Sequence, residues 1–270
     1  MSSTNPVLIF LPSVDSTNNY AMAQVHAGLA KHSMAWFANE QYAGKGQRGK
    51  EWNSQPGENI AISIALQPGF IEVSNQFRLS AAVALGAFDF FNKYAGDETS
   101  IKWPNDIYWR DRKAGGILIE NKIIVDSSQL TDDSKIQSTV NRHQSTTNYR
   151  WAICGIGINI NQTIFPEHLP NPVSLKQITG KNWGAFELAA ELHQCVLNRF
   201  EQLKEDGFQP IYQRYLLHQY KINQLQKFKK NNRVFEAVIK SINPAGQLVL
   251  QHSIEECYDF GEIEWVTAKI

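Results

Sequence analysis

Ala43-Gly44-Lys45-Gly46-Gln47-Arg48-Gly49-Lys50-Glu51-Trp52 lies between an apolar run and an alternating one, and whether a helix or a strand comes after it decides the kind of α/β fold. Its glycines let the backbone come close to a ligand, while Lys45, Gln47, Arg48 and Lys50 are donors that favour an anion. Two phosphate-loop patterns fit by letter. Gly44-x-Gly46-x-x-Gly49 has the dinucleotide-binding spacing. Gly44 with Gly49-Lys50 nearly completes a Walker-type loop, with Glu51 where Ser or Thr belongs. Both patterns need a helix opening at the last glycine, yet residues 52–59 (Trp-Asn-Ser-Gln-Pro-Gly-Glu-Asn) are turn-formers. What remains is a strand over 34–40, a basic loop, and a strand over 59–66 with Ile60, Ile62, Ile64 and Leu66 on one buried face. The loop is expected to hang off the sheet edge as a phosphate or carboxylate cradle. The plainer alternative is a solvated basic loop.

On the N-terminal side, residues 7–11 read as a first strand. Asp15-Ser16-Thr17-Asn18-Asn19 then precedes a helix carrying Tyr20, Ala21, Met22 and Val25, with Gly28 as its stop. Ser16 or Asp15 caps that helix, or the small hydroxyls and amides line a polar ligand. On the C-terminal side, residues 75–94 read as a core-facing helix. Residues 101–109 read as two short strands pinched by a turn, which gathers Lys102, Asn105 and Asp106. Lys113-Ala114-Gly115-Gly116 feeds the strand Ile117-Leu118-Ile119-Glu120, and glycines inside a strand often mark close approach of a ligand or another backbone. Residues 126–148 hold almost only polar side chains and read as a long mobile hairpin loop. The chain returns as a strand over 151–160, where Gly155 and Gly157 let something press against it. A turn over 171–175 comes next, then amphipathic helices over 186–203 and 210–220. Short β-rich runs in 223–270 suggest a small barrel. Lys227, Lys229, Lys230 and Arg233 within it read as a solvated edge.

With 26 basic and 26 acidic residues in 270, the chain lacks the basic excess of a nucleic-acid binder. No run of the ~18 apolar residues needed for a membrane span occurs, and no signal peptide opens the chain, so a cytoplasmic protein with no membrane partner is expected. Cys154, Cys195 and Cys257, odd in number and far apart, suit neither a disulfide framework nor a zinc site.

Taken in order, these motifs resemble the biotin protein ligases, which attach biotin to carboxylase carrier domains. The matching residues are Asp15 to Asn19, Gln41 with Gly44 to Lys50 and Trp52, Lys102-Trp103-Pro104-Asn105-Asp106, Lys113 to Glu120, Gly155 to Asn159, Asn171 to Leu175, and Gly246, Leu248 and Gly261-Glu262-Ile263. The resemblance implies an α/β (α+β) fold. Its parts are a mixed-sheet, class II synthetase-like biotin/lipoate ligase catalytic domain over 1–221 and an SH3-like C-terminal β-barrel over 222–270. With the first strand beginning near residue 7, no N-terminal DNA-binding domain is expected.

It further implies ATP and biotin as substrates with Mg²⁺, a biotin carboxyl carrier domain as partner, and a monomer or homodimer. Lys113, Arg48 and Lys45 become the catalytic cations. The biotin site becomes Ser16, Thr17, Asn18, Gln41, Gly44, Lys45, Gly46, Gln47, Lys113, Gly115 and Gly116. The nucleotide site becomes Arg48, Trp52, Lys102, Asn105, Asp106 and Asn159, with Asp106 as a Mg²⁺ contact. Gln47 stands where relatives commonly have Arg, so Lys45 or Arg48 takes over its charge, or the adenylate is held less tightly. The alternatives are a lipoate or octanoate attachment enzyme of the same fold and a non-catalytic biotin- or nucleotide-binding protein.

Overall fold

The computed structural model describes residues 6–123 and 149–266, so the polar stretch 126–148 lies outside the described residues. Seven strands make the main sheet: β1 (Leu8–Leu11), β2 (Ala35–Ala38), β3 (Asn59–Leu66), β4 (Thr99–Lys102), β5 (Asp106–Trp109), β6 (Arg112–Ile123) and β7 (Tyr149–Asn159). Their order is β1-β2-β3-β7-β6-β5-β4. β1 and β2 run parallel and the other neighbours antiparallel, which makes the sheet mixed as expected.

The alternation along β3 separates two unlike faces. Ile60, Ile62, Ile64 and Leu66 enter the main core, shared with α2 (Gln76–Ala95) and α4 (Ala185–Glu205). Ala65, on the opposite face, packs with Ala21 and Val25 of α1 (Thr17–His26). All eight residues of β3 are therefore buried, which corrects the expected one-sided strand. The small side chains on the α1 face leave room above the sheet, and the register sets Ala61 opposite Gly157 and Ser63 opposite Gly155.

β2 and β3 are neighbours inside the sheet, so the glycine loop leaves the ends of two interior strands. The expected position at the sheet edge is corrected, because the edges are β1 and β4. Side-chain capping of α1 is also corrected. Ser16 holds the cap position without a side-chain bond, and the Asp15 carboxylate accepts from Asn19 Nδ2 at 2.5 Å. β4 and β5 form the expected pinched pair with Lys102 opposite Asp106, through a turn containing cis Trp103-Pro104. The 171–175 turn leads into a short helix, α3 (Leu175–Thr179), where Ser174 and Gln177 form a capping box.

After α5 (Phe208–Leu217) come β8 (Leu225–Lys230), β9 (Arg233–Ile242), β10 (Leu248–Gln251), β11 (Glu255–Tyr258) and β12 (Glu264–Trp265), in the order β11-β10-β9-β8-β12. Among the described residues β11 and β12 stand at opposite ends without pairing, so this is an open five-stranded sheet. Lys227, Lys229 and Lys230 are on β8 and Arg233 opens β9, both interior strands, so the run is not an edge. Phe228, Ile239 and Leu250 join the main core cluster, and Trp103 Nε1 donates to Gly246 O at 2.8 Å. These contacts join the second sheet to the main core and to the β4–β5 turn. All three cysteines are free.

Candidate active site

Above the small-residue face lies a cavity of about 620 Å³, lined from the glycine loop, α1, the β4–β5 turn, β6, β7 and the second sheet. What presses on the two β7 glycines is the protein itself. A Cβ on Gly155 would strike the Asn18 side chain, and one on Gly157 would strike the Trp52 indole. The glycines therefore seat two lining side chains on the floor, which a larger residue would lift away.

One end of the cavity presents the neutral hydroxyls and amides of Ser16, Thr17, Asn18 and Gln41. Gln41 Oε1 accepts from the Thr17 backbone N–H at 2.8 Å and lies 3.0 Å from Thr17 Oγ1. Asn18 Nδ2 donates to Glu120 Oε2 at 2.8 Å, and Ser63 Oγ donates to Asn18 Oδ1 at 2.5 Å. Ser16, Thr17 and Asn18 are buried, so their side chains are held before any ligand arrives.

The other end is cationic. Lys113 Nζ pairs with Asp106 Oδ1 at 2.8 Å, with both side chains about one-third exposed. Lys102 is 7 % exposed and stands in a box of aromatic faces, its Nζ 4.8 Å from the Tyr108 ring centre, 5.9 Å from that of Tyr220 and 4.7 Å from that of Trp265. Burial brings the Lys102 ammonium down to about 8, against the opposing pull of Asp106. The aromatic faces attract what burial penalises. Arg48 is exposed at the loop tip beside Gly261 of the second sheet, in the left-handed region at φ 57°.

The loop itself is a small hairpin. Gly46 N–H donates to Lys50 O at 2.6 Å and Trp52 N–H to Gly44 O at 2.9 Å. Those two amides are spent inside the loop, which closes the hairpin and turns the side chains of Lys45, Gln47, Arg48 and Lys50 outward along the cavity wall. Lys45 Nζ donates to Asn19 Oδ1 at 2.5 Å, which ties the loop to α1. Gln47 Nε2 and Asn105 Nδ2 both donate to Ile117 O at 2.9 Å.

Of the expected site residues, Gly44 and Gly115 are not on the cavity wall. A Cβ on Gly44 would meet Trp52 O, and one on Gly115 would meet Ile158 and Gly157, so these glycines serve hairpin closure and strand packing. Asn159 reaches the wall, but its Nδ2 donates to Val173 O at 3.1 Å, which braces the segment alongside Lys113. The other named residues line the cavity together. Ser63, Tyr108, Glu120, Phe260 and Trp265 were not foreseen. Glu120 was visible at the end of a quoted motif, whereas Ser63 looks like any small residue in an alternating strand, and Trp265 arrives only through the packing of the two sheets.

Among the described residues no group of three His, Cys, Asp or Glu could hold a metal ion. Asp106 is a carboxylate on the cavity wall, so the residues suit a Mg²⁺ carried mainly by phosphate oxygens with one protein ligand. No helix of the described residues is long and apolar enough to cross a membrane.

Residues 10–131 match the model of the biotin/lipoate A/B protein ligase family. The chain is 29 % identical over 264 residues to the bifunctional ligase/repressor BirA of Escherichia coli, covering 96 % of this chain and 74 % of that one. It is 27 % identical to the biotin–[acetyl-CoA-carboxylase] ligase of Paracoccus denitrificans, over 89 % of this chain and 92 % of that one. In fold it is similar to the biotin protein ligase of Aquifex aeolicus in complex with biotin and ATP, with a TM-score of 0.75 at 22 % identity, covering 97 % of this chain and 99 % of that one.

Proposed function

The chain belongs to the biotin protein ligases of the biotin/lipoate family, and from that premise we propose how its cavity divides the work of an ATP-dependent biotin protein ligase. The enzyme forms biotinyl-5′-AMP and transfers the biotinyl group to a lysine of a carboxyl carrier domain. The observation that carries the proposal is the polarity of the cavity, with neutral hydroxyls and amides at one end and Lys102, Lys113 and Arg48 at the other. A urea ring is polar and uncharged and matches Ser16, Thr17, Asn18 and Gln41. The carboxylate and triphosphate match the cations. Nothing in the site favours a lipoyl ligand or binding without chemistry.

In the first step a biotin carboxylate oxygen attacks the α-phosphorus, the α–β anhydride bond breaks and pyrophosphate leaves. Two anions must meet, and fixed cations at the reacting centre offset their repulsion. Lys113 is held by Asp106 where it reaches the carboxylate and α-phosphate, and Lys102 adds a second charge from the box. Gln47 supplies no charge and braces the loop on β6, leaving Arg48 and Lys50 as loop cations for phosphate. Asn105 and Asp106 face the nucleotide, and a Mg²⁺ held by its phosphates and Asp106 would shield their charge. In the second step the carrier lysine amine attacks the acyl carbon, AMP leaves and the nitrogen gives up a proton. Trp52 and the loop keep water off the anhydride. The second sheet corresponds in this reading to the SH3-like domain of the family, with the division near residue 221.

The test is radiolabelled pyrophosphate exchange into ATP. Exchange is expected only with biotin, ATP and Mg²⁺ together, followed by biotin transfer to a carrier-domain lysine. Exchange driven by lipoate and not by biotin would overturn the reading.

A further inference from the structure

Behind the polar end of the cavity, four oxygen atoms form a chain whose protons can be counted. Gln41 Oε1 lies 3.0 Å from Thr17 Oγ1, which lies 2.7 Å from Ser63 Oγ, which lies 2.5 Å from Asn18 Oδ1. The orientation of both amides is fixed by their other partners. Gln41 must present its oxygen, because that atom accepts the Thr17 backbone N–H at 2.8 Å. Asn18 must present its oxygen to Ser63, because its Nδ2 donates to the Glu120 carboxylate at 2.8 Å and faces Leu118 O at 3.4 Å. Both ends of the chain are therefore pure acceptors. Between them are three contacts and only two hydroxyl protons, those of Thr17 and Ser63.

One contact in this row always lacks its hydrogen and brings lone pairs together in a buried place, where such a mismatch is costly. With both hydroxyl protons committed along the row, Thr17 Oγ1 has a lone pair left to accept a ligand N–H and no proton to give a ligand carbonyl. Thr17 and Asn18 line the cavity, and Ser63 and Glu120 stand behind them.

We propose that Glu120 and Ser63 are positioning residues that hold the Asn18 amide with its oxygen inward, leaving the wall one proton short and so selective for a ring that offers N–H. The inference rests on the biotin reading of the same cavity and deepens it. Biotin's urea has two such donors, and a derivative methylated on a urea nitrogen has lost one.

Glu120→Gln keeps the shape but can donate as well as accept, so the Asn18 amide is free to turn its nitrogen inward. The experiment measures kcat and KM for biotin and for N-methylated biotin in pyrophosphate exchange, with wild type, Glu120→Gln and Ser63→Ala, each checked for folding by circular dichroism. For wild type the methylated ligand is expected to be at least about tenfold worse in kcat/KM, the value of one buried hydrogen bond. Glu120→Gln is expected to raise KM for biotin about tenfold, keep kcat within about twofold and narrow the discrimination. Ser63→Ala is expected to shift KM in the same sense by severalfold, and it carries the test alone if the Glu120 variant fails to fold. An unchanged KM and unchanged discrimination in the folded variants overturns the proposal, as does a loss confined to kcat. Absence of biotin-dependent exchange in wild type would instead overturn the functional reading together with this inference.

Discussion

Gly157→Ala tests how the floor of the cavity seats the indole of Trp52. The new methyl would stand 2.6 Å from Cζ2 and 2.8 Å from Nε1 of that ring. Ordinary contact between such atoms is about 3.5–4.0 Å, so the indole must retreat by about 1 Å. It belongs to a half-buried loop residue and can move toward the cavity, so the stability cost should lie at the low end of overpacking, about 1 kcal/mol. That corresponds to a melting point lower by about 2–4 °C in a chain of this size. Activity should suffer far more. A wall displaced by about 1 Å misplaces the reacting groups, and errors of that size cost about 10² in rate. The assay is pyrophosphate exchange at varied biotin and ATP, with differential scanning calorimetry on the same preparation. Wild-type kcat and KM in a folded Gly157→Ala would refute the placement of Trp52 as a wall of the site.

Lys113→Ala should lower adenylate formation by about 10²–10³, the usual cost of removing one preorganised charge donor from a reacting centre; single-turnover formation of biotinyl-AMP measures it, and a change below about tenfold would remove Lys113 from the chemistry. Because the buried Lys102 loses its proton at about 8, kcat/KM for ATP in the free enzyme should fall as pH rises above about 8. Lys102→Arg, which stays charged, should move that limb upward, and an unshifted limb would assign it to another group. Burial of His193 holds its pKa at about 4, while the ordinary value is 6.5. Below pH 6.5 the unfolded chain therefore takes up a proton that the folded one refuses. Stability is complete above that pH and falls as the pH drops toward 4, by up to about 3 kcal/mol from this residue. His193→Gln should flatten that part of the urea-denaturation profile, and an unchanged slope would contradict the assignment.

The elements that bury apolar side chains at a regular period were legible in the chain. The alternating isoleucines of β3, the run of apolar residues through α2 and the repeat through α4 each announce one packing face. The second face of β3 was not legible, because Ala61, Ser63 and Ala65 carry no hydrophobic signal and are buried only once α1 lies over them. The place of the loop between two strands was legible, and it lies on the cavity wall. Glycines and cations suggested an anion cradle, but whether a given backbone N–H is free to face a ligand or closes a hairpin depends on pairing between residues such as Gly46 and Lys50. Residues brought from afar were the least visible. Trp265 meets Lys102 across the junction of the two sheets, and nothing local to either residue predicts the box around that ammonium.

In the proposed mechanism one cavity holds the urea ring against Thr17, Asn18 and Gln41 while the new anhydride lies between Lys113 and Lys102. A crystal structure with a non-hydrolysable biotinyl-adenylate analogue measures this directly. The expected result is the ring nitrogens within hydrogen-bond reach of the first group and the phosphate oxygens within reach of the lysines. A ligand bound in the reverse direction, or one that leaves Lys113 paired only with Asp106 and touching no ligand atom, would contradict it.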